Sequence, residues 1–361
     1  MAHLSGMLLI DCPASALNNA GTDRGARAEN VVSVKKITTR AGTFPYVSAQ
    51  AVRFWLREAL KDIEGWTPSP IFREEKIAYT DANPIAWAED DIFGYMRAPS
   101  KKTEAVAARE EKGTIKTATP IEAGVTLTRS SVFKMSTLIS IAPSEPVADF
   151  GVMARHEGNP VPHEHEFYRT TLMGLFSVDL RMLGRFYHID RTGYKHLDSV
   201  RKKLADEKGL TPYDNGRGYE LSMEQRKGRL DQFLKGLAQI SGGAKLALHY
   251  TDVSPRLLML CVAKGGNHLF GTALSADHKG QPRINTDALK QVASVYKNSL
   301  LSAFHVGLVQ GYLDEQRPAL AQTLQEINST NGNSDMVIPH PVEAIRSLSG
   351  ELDKKAEEWL A

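Results

Sequence analysis

Cysteine is nearly missing from this sequence: Cys12 and Cys261 are the two among 361 residues. Both stand in apolar, strand-like surroundings. They supply neither a disulfide framework nor a zinc-ligand spacing, which points to a reducing cytoplasm. Long apolar runs are missing too. The longest, Leu257–Ala263, is far shorter than a bilayer-spanning helix requires. The first residues hold no basic stretch followed by an apolar one, as a secretory leader would. No membrane partner is therefore expected. No Walker loop, dinucleotide-binding glycine pattern, HExxH motif or nucleophile elbow stands in a fitting context. That turns the reading toward binding or scaffolding and away from catalysis, with no cofactor. Tandem repeats and low-complexity stretches are lacking, and so is an excess of one charge: 44 basic against 42 acidic residues leave +2.

What is present is ordinary globular material, 42% hydrophobic and 24% charged, enough for a sizeable core. At about 150 residues per domain, the length fits one large decorated domain or two. The charge is unevenly spread. Arg24, Arg27, Lys35, Lys36, Arg40, Arg53 and Arg57 face a single acid, Glu29, over residues 24–57. Arg181–Lys208 is also basic on balance, while acid collects at Glu89-Asp90-Asp91. Local positive charge on a near-neutral chain suits a polyanion groove; ordinary solvated faces are the competing reading.

Met7-Leu8-Leu9-Ile10 reads as a buried strand. A polar, glycine-containing loop over Leu17–Gly25 and an extended piece over Val31–Thr38 follow. Ser48 is a good N-cap for a helix to about Ile63, with Val52, Leu56, Ala59, Leu60 and Ile63 on one stripe. Residues 65–124, with five prolines, read as an insertion. Val125–Ala142 is strand-rich, and residues 143 to about 171, with four prolines, form a long excursion or irregular hairpin. Phe176, Val178 and Leu180 alternate as a strand. Met223–Ile240 is helical. Leu246, Leu248 and Tyr250 alternate, and Arg256–Ala263 is an apolar strand. Asn285 caps a helix expected to run to about Val306. The order is that of an α+β, ferredoxin-like (RNA-recognition-motif) sheet with large insertions.

Three constellations carry possible chemistry. The helix entry around Ser48 exposes backbone N–H groups that suit a phosphate, and Arg53 and Arg57, four apart, can add charge-assisted bonds. A plain capped helix with snorkelling arginines is the alternative. His163-Glu164-His165, with His156 nearby, has a metal-like spacing, but no second cluster supports it, and a solvated polar loop is the reading taken. His188 and His196 flank Asp190 without a nucleophile and read as surface histidines. Asp23 reads as a turn residue, or as a cleaving acid.

Leu17-Asn18-Asn19, then Val31-Val32-Ser33-Val34-Lys35-Lys36, then Pro45-Tyr46-Val47-Ser48-Ala49-Gln50-Ala51-Val52-Arg53-Phe54-Trp55-Leu56-Arg57, resemble the DevR-type CRISPR-associated autoregulator family. Gly174–Leu180 with Leu183-Gly184, and Gly242-Gly243-Ala244 leading to Asp252–Pro255, are similar to later signatures of it. The resemblance implies the backbone subunit of a type I, subtype I-B, Cascade complex, polymerised along a CRISPR RNA without catalysis. Implied partners are that RNA, a target DNA strand, copies of the chain itself and other Cascade subunits. It also implies a right-hand-like architecture: a palm over 1–64, 125–142 and 173–310, fingers over 65–124, a thumb over 143–172 and a helical C-terminal region over 311–361. Residue reading and resemblance together assign RNA contacts to Asn18, Asn19, Arg24, Arg27, Lys35, Lys36, Arg40, Ser48, Gln50, Arg53, Arg57, Met153 and Arg155, and no metal. The alternative is a ribonuclease of the same superfamily, using Asp23 or the histidines.

Overall fold

The computed structural model describes residues 2–22, 31–74, 77–98, 119–122, 124–155, 157–328 and 337–361. Its centre is an 11-stranded sheet. In chain order the strands are β1 (Ala2–Ser15), β2 (Asn19–Thr22), β3 (Val31–Val34), β4 (Lys36–Thr39), β5 (Gly42–Val47), β6 (Phe133–Met135), β7 (Leu138–Ser140), β8 (Val147–Met153), β9 (Val161–Asp179), β10 (Leu257–Lys264) and β11 (His305–Leu308). The main path runs β11-β10-β1-β9-β7-β5-β4, with β6 and β8 also pairing with β9 and β3 bridging β2 and β9. Met7 lies opposite Leu175 on one side and Met259 on the other.

β1 is apolar at nearly every position because both faces of the sheet are covered. Leu4, Leu8, Ile10 and Cys12 point into a core formed with helices α1 (Ala49–Leu60), α4 (Met223–Ala238) and α7 (Pro341–Leu360). Met7 and Leu9 point the other way, under α5 (Thr286–Val295) and α6 (Arg317–Ile327). Two shorter helices also contribute: α2 (Ala88–Phe93) adds Ala88, Ile92 and Phe93 to the first core, and α3 (Ser199–Glu207) packs Ala205 into a separate one. A small core around Phe186, Leu197 and Tyr219 is built with the three-stranded sheet of Arg185–Tyr187, Thr211–Tyr213 and Gly218–Glu220.

The expected apolar stripe of α1 is buried at all five positions, and Trp55 joins it. The helix stops at Leu60, because the N–H groups of Lys61, Asp62 and Ile63 bond three residues back in a tightened last turn. α5 ends at Val295 and does not continue to Val306. The Leu301 and Ser302 N–H groups bond to Val262 O, which draws the chain onto the sheet edge and makes Val306 part of a strand. Leu246, Leu248 and Tyr250 form no strand. Leu246–His249 is a single helical turn between left-handed Lys245 and Tyr250, with most of its apolar side chains exposed, so no buried face selects extension.

Residues 143–171 take the hairpin alternative, in more regular form than expected. β8 and the first half of β9 make an antiparallel hairpin, from Val147↔Phe167 to Met153↔Val161. The same strand then runs on as the neighbour of β1. Pro162 is tolerated because it sits one residue from the hairpin end, outside the ladder that β9 makes with β1. In the 65–124 segment the described residues include a hairpin of Ile71–Glu74 with Ile77–Thr80, helix α2, and Tyr95–Arg97 paired to Leu127–Arg129.

Candidate nucleic-acid interface

Asn18 follows β1 and ties together three distant pieces of chain. Its Oδ1 accepts the Ser48 N–H at 2.9 Å. Its carbonyl accepts the Lys35 N–H at 2.9 Å, and the Lys35 carbonyl accepts the Tyr46 N–H at 2.9 Å. A fourth piece arrives through Leu17, whose carbonyl accepts the Ala244 N–H at 3.0 Å. Only glycine fits beside that contact. A Cβ on Gly243 would lie 2.6 Å from Leu17 Cδ2, and one on Gly242 2.5 Å from the Trp55 ring, and both have positive φ. The separate stretches Leu17–Asn19, Lys35, Tyr46–Ser48 and Gly242–Ala244 are therefore one site.

Ser48 occupies the N-cap position of α1, but its hydroxyl makes no capping hydrogen bond. Gln50 is exposed at the same helix entry, and Arg40 is exposed beside the β4–β5 turn. Lys35 is half-buried. Lys36 pairs with Glu166 at 2.6 Å, whose other oxygen accepts the Val34 N–H at 3.0 Å. The Asn19 Oδ1 is buried without a partner. Met153 and Arg155 are exposed at the far end of the β8–β9 hairpin, among exposed Phe150, Val152 and Val161. Arg24 and Arg27 lie outside the described residues, as do Asp23 and His156.

Arg53 and Arg57 are not a phosphate row. The Arg53 guanidinium donates to Phe133 O at 2.7 Å, Phe93 O at 2.8 Å and Ser131 Oγ at 3.1 Å, and packs over the Phe93 and Phe133 rings. Burial, and then the charge of Arg57, push it down to about 10. Arg57 lies over Phe93 and pairs with the buried Glu89 at 2.9 Å. Both fasten α1 to α2 and β6. The four-residue spacing marks a face of the helix, and that face turns inward.

The histidines also change role. His165 is buried on β9, not solvated. His196 is buried too. Its Nδ1 accepts from the Tyr187 N–H at 3.0 Å and lies 3.2 Å from Arg129 Nη1, its Nε2 lies 3.2 Å from Gly193 O, and burial with Arg129 holds it down to about 2. It is a neutral scaffold group. His188 Nε2 reaches Gly216 O at 2.9 Å. Among the described residues no group of three or more His, Cys, Asp or Glu side chains is placed to hold a metal ion.

The Glu89-Asp90-Asp91 run, where acid collects in the sequence, is buried. Asp91 receives Arg129, Arg229 at 2.7 Å and the Gly184 N–H at 3.0 Å. Asp90 Oδ2 accepts from Ser69 at 2.9 Å and Asn83 at 2.8 Å. This ionic core joins α2 to Leu127–Arg129 and α4.

The mixed α+β architecture resembles a chain of a CRISPR RNA-guided surveillance complex, covering 97% of this chain and 99% of that one at 11% identity and a TM-score of 0.50. A chain from such a complex described as pre-nicking has the same coverage and a TM-score of 0.44. The first of these defines the fold class. Residues 10–265 match the CRISPR-associated negative auto-regulator DevR/Csa2, and the chain belongs to that family. A curated relative, the CRISPR-associated protein Cas7/Cst2/DevR of Myxococcus xanthus (strain DK1622), is 28% identical over 171 residues. That match takes in 43% of this chain and 51% of the relative, so the chain spans about half the length of the curated relative it matches. No helix among the described residues is long and apolar enough to cross a membrane.

Proposed function

We propose that this protein is a non-catalytic, cytoplasmic CRISPR RNA-binding backbone subunit of a type I Cascade complex. It lines up with copies of itself and other Cascade subunits along the guide, so that the guide can pair with a target DNA strand. The observation that carries the reading is the Asn18 clamp, which sets Lys35, Ser48 and Gln50 at the uncapped entry of α1. A guide must keep its pairing edges free, so its protein has to hold phosphates and sugars. Backbone N–H groups, amides and a few cations do this without sequence preference. The order β1-α1-β7-β9-α4-β10, with sheet order β10-β1-β9-β7, supports a palm of RNA-recognition-motif type. The β8–β9 hairpin then serves as the thumb, and head-to-tail contacts that do not close give a filament.

The test is fluorescence anisotropy of the full chain with two labelled guide RNAs of unrelated sequence, followed by electron microscopy and a cleavage assay with divalent metal. Similar, cooperative curves, filaments and intact RNA are expected. Asn18→Ala should weaken binding of both guides alike. Absent binding, or cleavage at regular intervals, would refute it.

A further inference from the structure

A cluster of bases lies at the foot of the hairpin, beside the Asn18 clamp. His165 on β9 and His249 from the Leu246–His249 turn meet with ring centroids 5.4 Å apart, and Phe167 lies 5.4 Å from His249 on its other side. Both nitrogens of His165 and the Nε2 of His249 are buried with no hydrogen-bond partner. Buried polar atoms in folded proteins are nearly always paired, so three orphans on two touching rings call for an explanation. The groups around them are mostly basic. His165 faces Lys245, His249, His163 and one acid, Asp149, and His249 faces Lys245 and Asp149. Asp149 Oδ2 is 3.7 Å from His165 Nε2 and largely exposed. Glu164 and Glu166 alternate to the opposite face of β9, where Glu166 serves Lys36 and Val34.

We propose that Lys245, His249 and His165 form an anion subsite that closes on a phosphodiester of the bound RNA, an inference that rests on the RNA-binding reading above. Lys245 and His249 are half-buried at the mouth, with His165 behind them. Access needs the 245–250 segment to shift, and the segment is built to do so. Gly242 and Gly243 precede it, Lys245 and Tyr250 hold left-handed conformations at its ends, and Leu248 and Tyr250 pack on little. Burial depresses the proton affinity of His165, His249 and Lys245 alike, and the Lys245 charge adds to this at both histidines. A phosphate among them reverses that, so binding takes up protons and RNA affinity rises as pH falls.

The experiment measures anisotropy of a labelled single-stranded RNA on the full chain from about pH 8 to about pH 6. The wild type should gain about tenfold in affinity over that range, up to tenfold per pH unit for each proton taken up. His165→Gln with His249→Gln should lose most of this gain, because glutamine takes up no proton over that range. His249→Gln alone, at a half-exposed position that tolerates change, should lose part of it. Imidazole NMR signals of both residues should move on adding RNA. A folded double variant, or a folded His249→Gln, with the wild-type pH profile would overturn the subsite. So would imidazole signals that move with inorganic phosphate and not with RNA. Absence of RNA binding at every pH by wild type would instead remove the RNA-binding reading itself.

Discussion

Replacing Arg53 with alanine should cost stability and leave RNA affinity alone. The side chain spends its guanidinium on two backbone carbonyls and a hydroxyl, at 2.7, 2.8 and 3.1 Å, and stacks on two phenylalanine rings. Ser131 Oγ also donates to Phe133 O, so the acceptor left bare by truncation is Phe93 O. A charged hydrogen bond contributes about 1.5–3 kcal/mol, and a shared partner lowers the sum. With about 0.5–1 kcal/mol from the cation–π contacts, the loss comes to about 3 kcal/mol. At about 2.1 cal/mol/K per residue, a chain of this length has an unfolding entropy near ~0.8 kcal/mol/K, so the melting temperature should fall by about 4 °C. Arg53→Lys should recover less than half, because one ammonium cannot span three acceptors as a fork does. Scanning fluorimetry reads the melt, and RNA titrations at several salt concentrations read the contact. A phosphate contact would remove about 0.7 from the magnitude of the log–log salt slope for a single strand. An unchanged melt with a shallower slope would refute the structural role.

Asp91→Asn should be more damaging, because Arg129 and Arg229 would lose the one carboxylate both use. Breaking such a buried set costs about 3–5 kcal/mol, to be seen as a fall in the urea midpoint. Asp90 carries a pH signature. Burial raises its carboxyl to about 6 from an ordinary value of 3.8, so between those values the native state holds a proton that the unfolded chain has released. That contribution declines as pH rises from about 4 to about 6 and is gone above. Asp90→Asn should remove this decline, so the wild-type and variant urea midpoints should diverge across that window. Parallel profiles would contradict the assignment.

The strands of the central sheet were legible where local pattern and burial coincide. The apolar run of β1, the run of β10 and the alternation at Phe176–Leu180 each state which faces are covered. The α1 stripe was legible for the same reason. Its flank was not, because Arg53 reaches Phe93 and Phe133, 40 and 80 residues further on, and periodicity says nothing about such partners. The burial of Glu89-Asp90-Asp91 was not legible for the same cause: Arg129 and Arg229 arrive from distant segments. Four prolines hid the regularity of the hairpin and the continuity of β9, since each forbids only its own ladder bond and Pro162 lies near the end. In the candidate site, Asn18, Lys35, Ser48 and Gln50 were found by motif and are brought together. The His165–His249 contact joins a strand to a turn read as a strand, and no pattern in the chain announces it.

β9 runs unbroken from the hairpin end at Val161 to Asp179 beside β1. At about 3.3 Å per residue, its 19 residues reach about 60 Å. The projection is therefore a cantilever and not a hinged arm. A load at its free end travels down one continuous backbone into the central ladder, with no loop to absorb it. The same continuity makes the strand intolerant of length change. One residue inserted between Phe167 and Leu172 would push Leu172 and Phe176 out of one core and turn Met173 and Leu175 into it. Length can vary freely only beyond the hairpin end, so the reach of the projection can change while the central sheet keeps its register.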